Sequence, residues 1–132
     1  MQVSNYFVLQ DTNFEIDENS MKRFTVKMPP ASQFVKATAR PILWFNMDPL
    51  TSQHLKFLVV LNHPDTEVGG NIPNEKIVWA YDKPDDIKLL RSTHEVLDGN
   101  QFLPGANNTI DFVGVIGKVR LSDVVLFFRV ET

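Results

Sequence analysis

The sequence predicts an all-β domain, an antiparallel sandwich or barrel of about eight short strands. Three observations lead there. Apolar and polar residues alternate with a period of two over several segments. Clusters of Pro, Gly, Asn and Asp recur roughly every 10 to 20 residues and read as turns. No segment sustains a long helical period, and there is no repeat unit.

Taken in order, Gln2 to Gln10 is the first strand candidate, followed by a short piece at Asn13 to Ile16. Lys22 to Met28 is the clearest: Phe24, Val26 and Met28 point one way and Arg23, Thr25 and Lys27 the other, as in a strand with one wet face. Phe34 to Phe45 reads as a long strand apolar on both faces. Its Pro41 lacks an N–H and so implies an edge position or a bend. His54 to Asn62 sets Leu55, Phe57, Val59 and Leu61 against His54, Lys56, Leu58, Val60 and Asn62. Glu75 to Tyr81 places Ile77, Trp79 and Tyr81 on one face, with Val78 and Ala80 behind. Ile87 to Arg91 and His94 to Leu97 are read as strands. A helix capped by Asp82 and ended at Gly99 is the alternative, and Ser92-Thr93 and the all-β context disfavour it. Thr109 to Ile116 follows. The last strand, Val119 to Val130, groups Val124, Leu126, Phe128 and Val130 opposite Val125, Phe127 and Arg129. Val119 and Leu121 are out of phase with that set, so a bulge is expected near Ser122.

The 132 residues suffice for one domain, 1–132, with a core large enough to need no staples. Lys and Arg number 13 and Asp and Glu 16, a net charge of −3, which leaves no footprint for broad nucleic-acid binding. The absence of cysteine excludes disulfides, thiolate nucleophiles and Cys-type zinc sites. The longest apolar runs, Leu58–Leu61 and Val124–Phe128, fall far short of the ~20 residues that span a bilayer, so no membrane insertion is expected. The first residues lack the pattern of a secretory signal, which makes a cytoplasmic location the default expectation, or a secreted one if a leader was removed. Asn107-Asn108-Thr109 has the form of a glycosylation sequon.

Three stretches near the end carry a family resemblance. They are Val96-Leu97-Asp98-Gly99, Leu103-Pro104-Gly105-Ala106-Asn107-Asn108-Thr109-Ile110-Asp111-Phe112, and Val119-Arg120-Leu121-Ser122-Asp123-Val124-Val125-Leu126-Phe127-Phe128. Together they resemble the C-terminal strands of galactose-binding-like β-sandwiches, modules that accompany many glycoside hydrolases and polysaccharide lyases. In those, a Leu-x-Pro-Gly-x-Asn turn leads into an apolar strand. Here Pro104 follows Leu103 directly and the Asn is doubled. The resemblance implies a jelly roll and recognition of a carbohydrate or peptide; it assigns no binding residue.

The chemistry-bearing residues divide as follows. His54, His63 and His94 show no metal-ligand spacing, and no Gly-x-Ser-x-Gly elbow occurs. The loop acids Asp82, Asp85 and Asp86 are the best candidates for a calcium site, the one cofactor considered. Gly114 to Lys118 is read as a hairpin turn with Gly117 at positive φ. Aromatics are the strongest functional feature, because flat rings stack on the apolar faces of sugars while Asn, Asp or Arg bind hydroxyls. Trp79, Tyr81 and Trp44, with Asn46, Asp48 and Arg91, are the expected ligand site. Val125 and Phe127, opposite the core set of the last strand, are the expected interface if a second layer covers that face. The expected function is non-enzymatic recognition with carbohydrate as the leading ligand. An assembly subunit that oligomerises or docks on a protein partner is the alternative, and a small sugar-active enzyme is the third.

Overall fold

The computed structural model describes residues 1–51, 53–63, 72–85 and 88–132. Among them nine strands form: β1 (Gln2–Gln10), β2 (Phe14–Ile16), β3 (Met21–Lys27), β4 (Ile42–Pro49), β5 (Leu55–Leu61), β6 (Ile77–Lys83), β7 (Arg91–Val96), β8 (Asn107–Ile116) and β9 (Val119–Glu131). No described residue is α-helical. Sheet I runs β1-β9-β4-β7, and β2 continues the β1 edge along β9; sheet II runs β3-β8-β5-β6. All neighbours are antiparallel. With β1 and β2 taken as one interrupted strand, the pairs nest: first with last, β3 with β8, β4 with β7, β5 with β6. An antiparallel ribbon wound around a core in this way is a jelly roll of eight strands.

The core lies where alternation places it. Leu43, Phe45 and Met47 of β4, Leu55, Phe57 and Val59 of β5, and Val124, Leu126 and Phe128 of β9 are almost fully buried. Phe45 and Phe112 meet edge to face at 5.3 Å between the sheets. The phase change in β9 is a bulge at Asp123, whose φ is 53°. Pairing with β4 jumps there from Trp44–Val125 to Asn46–Ser122, which brings Val119 and Leu121 inward with Val124.

Four local expectations change. In place of separate strands at Ile87 to Arg91 and His94 to Leu97, one strand, β7, runs through Arg91–Val96; residues 88–90 precede it and Ile87 lies outside the described residues. The long strand from Phe34 does not form. Residues 31–38 make tight turns, with Phe34 and Ala39 N–H groups donating to Pro30 and Val35 carbonyls at 2.8 and 2.9 Å. Phe34 then plugs one end of the core against Phe102 and Phe128. The strand starts only after Pro41 and is central, between β7 and β9, because the proline lies outside the ladder. In β6, Val59 pairs with Trp79 but Val60 with Ile77, so Val78 is an extra residue that packs on the core in place of Ile77. Gly117 has the expected positive φ of 77°, yet its turn is no hairpin: it carries the chain from β8 in sheet II to β9 in sheet I. A Cβ there would meet His54 O and Thr51 Oγ1, each at 2.7 Å.

Two polar clusters are buried. Asp111, 1% exposed, receives Arg23 Nε at 2.7 Å and Nη2 at 2.8 Å, and Arg23 Nη2 also donates to His63 O at 3.0 Å. The hydrogen bond to Asp111 raises the Arg23 pKa above its ordinary value, against the opposing effect of burial. Asn108 holds the Leu103–Ala106 turn: its Nδ2 donates to Leu103 O and Ala106 O, and its Oδ1 accepts from Leu103 N and Asn62 Nδ2, all within 3.0 Å.

Candidate functional site

The outer face of sheet I carries an unbroken aromatic row. Alternation in β4 turns Ile42, Trp44, Asn46 and Asp48 away from the core while Leu43, Phe45 and Met47 enter it. Register then aligns neighbours. Phe127 of β9 lies opposite Tyr6 of β1 and Ile42 of β4, and Trp44 lies opposite Val125 of β9 and His94 of β7. Ring centroids are 6.0 Å apart for Tyr6–Phe127, 6.4 Å for Phe127–Trp44 and 6.5 Å for Trp44–His94, with tilts of 35–41°. The row thus crosses all four strands. Tyr6 is 59% exposed and Phe127 36%. Between them and His94, a shallow depression of about 510 Å³ is lined by Ile42, Trp44, His94, Val96 and Phe127.

Trp44 Nε1 is buried and finds no acceptor among the described residues. An orphaned N–H costs on the order of 1–3 kcal/mol.

Polar groups flank the row on both sides, displaced from it along the strands. On one side is a depression of about 290 Å³ bordered by Asn46, Asp48, Arg120, Ser122 and Asp123. Asn46 Nδ2 donates to Asp123 Oδ2 at 2.9 Å, and Arg120 lies 3.8 Å from Asp48 and 3.4 Å from Glu15. The depression on the other side, about 440 Å³, takes in Ser4, Arg40 and Arg129 beside Ile42 and Phe127.

The expected ligand residues separate into two groups. Trp44, Asn46 and Asp48 share the outer face of sheet I. Trp79 and Tyr81 do not join them. Both pack against the core from β6, with Trp79 5.5 Å from Phe45 and from Phe57, and Tyr81 stacked on Phe57 at 5.4 Å. Arg91, on β7, turns toward Tyr81: its Nη2 donates to the hydroxyl at 2.8 Å, and its guanidinium lies 5.6 Å from the ring centroid. Of the calcium candidates, Asp82 is bonded by His54 Nε2 and lies 3.9 Å from Lys56 Nζ, Asp85 is exposed, and Asp86 lies outside the described residues. Among the described residues no group of three acidic or histidine side chains is placed to hold a metal. Val125 is 8% exposed, between Val8 and Trp44 in the ladder, whereas Phe127 remains open.

Sequence reasoning missed Tyr6, His94, Arg120 and Asp123. Tyr6 had a signal in its alternation with Phe7, which packs on the core. Its meeting with Phe127 required knowing that the first strand pairs with the last.

Solved structures supply the comparison. A latent aurone synthase (polyphenol oxidase) matches with a TM-score of 0.60 at 15% identity, over 92% of this chain and 26% of that one. BuGH86 in complex with neoagarooctaose matches with a TM-score of 0.60 at 14% identity, over 97% of this chain and 19% of that one. The CBM36-1 domain of a multidomain xylanase, from the hindgut metagenome of Trinervitermes trinervoides, matches with a TM-score of 0.52 at 8% identity, over 93% and 96%. This chain has their β-sandwich fold. It spans about a quarter of the aurone synthase chain and about a fifth of the BuGH86 chain. No family model matches it, and no curated protein does.

On this sandwich the aromatic row and its flanking groups supply two kinds of contact. Tilted rings offer apolar area to a flat partner, and the Asn46–Asp123 and Arg120–Asp48 clusters offer donors and acceptors beside it. Among the described residues no helix is long and apolar enough to cross a membrane.

Proposed function

We propose that the protein is a carbohydrate-recognition module that binds a glycan along the outer face of sheet I. The observation that carries this reading is the Tyr6–Phe127–Trp44–His94 row on the outer face of sheet I, with hydrogen-bonding side chains along both flanks. Pyranose rings present apolar C–H faces to such a row and direct their hydroxyls sideways, toward groups placed like Asn46, Asp48 and Arg120. The fold shared with a CBM36-1 domain supports the reading. The test is a glycan array probed with the wild-type chain and Trp44→Ala: binding present in the first and lost in the second is expected, and silence of the wild type across the array removes the reading.

A second reading has its own observation. Val8 and Val96, 56% and 71% exposed, extend the same face with aliphatic surface that sugar stacking does not require. Such a face also suits a second copy of the chain or another protein. Sedimentation equilibrium separates the two, since self-association through this face makes mass depend on concentration and on Val96→Asp.

A further inference from the structure

We propose that the flank of the aromatic row bordered by Arg40 and Arg129 is a subsite for an anionic sugar substituent, a carboxylate or a sulfate ester. The glycan held on sheet I is then an acidic one. This rests on the recognition reading above and narrows its substrate class.

Both guanidiniums border one depression that also takes in Ile42 and Phe127, two residues that line the aromatic depression next to it. An anion held there lies beside a ring stacked on the row. Their surroundings set these two arginines apart. Arg23 is locked to Asp111, Arg120 is shared between Glu15 and Asp48, and Arg91 bonds Tyr81. Among the described residues neither Arg40 nor Arg129 has a carboxylate within ion-pair distance, in a chain whose net charge is −3. Both side chains are exposed, so their charge is available at little desolvation cost.

The backbone holds the pair together. Arg129 N donates to Ala39 O at 2.7 Å, which fixes the residue before Arg40 against β9. Arg40 itself has a φ of 44°, a left-handed conformation that a long side chain rarely adopts and that glycine would take without strain. Planar guanidiniums bind carboxylate and sulfate oxygens in bidentate fashion, and the Ser4 hydroxyl, in register with Arg129, adds a further donor. The opposite flank of the row carries Asp48 and Asp123, which repel an anion, and its one arginine, Arg120, is held between Glu15 and Asp48. The face therefore has a polarity that points the acidic substituent toward Arg40 and Arg129.

The test uses the full chain and isothermal titration at about 150 mM salt, where long-range attraction is screened. The probes are polygalacturonate and its fully methyl-esterified form, and dextran sulfate and dextran. The proteins are wild type, Arg40→Gln, Arg129→Gln and Trp44→Ala; both arginines are exposed, so their variants are expected to fold. Expected is an acidic polymer bound at least roughly tenfold more tightly than its neutral partner, with that preference lost in each arginine variant and all binding weakened in Trp44→Ala. Preference for polygalacturonate assigns a carboxylate, and preference for dextran sulfate assigns a sulfate. Equal binding of acidic and neutral polymers, unmoved by the arginine variants but lost in Trp44→Ala, overturns the anionic subsite and leaves the recognition reading standing. Acidic binding that the arginine variants abolish and Trp44→Ala spares overturns the proposal as well, since the anion then binds apart from the row. No binding to any polymer, together with a silent glycan array, overturns both.

Discussion

Arg91 and Tyr81 close the open edge of the sandwich. The Arg91 Nη2 to Tyr81 hydroxyl bond, 2.8 Å long, joins β7, the outermost strand of sheet I, to β6, the outermost strand of sheet II. Both were expected at the ligand site; the structure places them in a clasp between the layers, apart from the aromatic row on the outer face of sheet I.

Trp44 and Trp79 are therefore predicted to separate function from stability. Trp44→Ala lowers glycan affinity by roughly tenfold or more, about 1.4 kcal/mol, with little change in folding. Trp79→Ala leaves the site geometry intact and costs about 2–4 kcal/mol in urea denaturation, because it opens a gap beside Phe45 and Phe57.

Trp44→Phe keeps a ring in the row and deletes the orphaned Nε1–H. It is expected to leave the urea midpoint unchanged or to raise stability by about 1 kcal/mol, since an unpaired buried donor is removed along with some area. A loss above about 2 kcal/mol would show that the indole is held for packing.

Arg23→Ala strands the buried Asp111 carboxylate and should destabilise by about 3 kcal/mol or more; Arg23→Ala combined with Asp111→Ala should recover part of that loss. The Arg23 pKa is raised in the folded state, so its contribution is complete below the unfolded pKa and fades only as pH climbs through the higher folded one. Arg23 titration therefore adds no slope to stability between about pH 6 and 9. Urea denaturation of wild type, Arg23→Ala and the double variant at a single pH in that range checks both the loss and the partial recovery.

Asn108→Ala removes four hydrogen bonds at a fully buried position, among them those to Leu103 N and Leu103 O, while Ala106 O keeps the bond from Met28 N at 3.0 Å. A loss of about 2–4 kcal/mol is expected. Asn107→Ala, its exposed neighbour, should be near neutral, and thermal melts of the two variants check the contrast.

The sandwich was legible because its strands have one wet and one dry face. Phe24, Val26, Leu55, Phe57 and the even-numbered residues of β9 announce their direction through alternation alone, and the phase break before Val124 announces the bulge. Phe34 misleads because a core plug in a turn is as apolar as a strand residue. The site was half legible. Trp44, Asn46 and Asp48 stand two apart on one strand, so their shared face follows from the pleat. Trp79 and Tyr81 share that spacing with equal clarity, but the period says only that they lie together, not whether their side is the inner one. Tyr6, Phe127 and His94 reach Trp44 through pairings between distant strands, and local periodicity carries no record of them.

The nested winding of the ribbon has a consequence for how this protein comes into being. The aromatic row joins strands far apart in sequence, and Tyr6 of β1 and Phe127 of β9 come side by side only when the outermost turn of the winding closes. Contacts of such separation form slowly. Until β9 docks between β1 and β4, Phe127 does not bridge Tyr6 and Trp44, so the row is complete only once that pairing has formed.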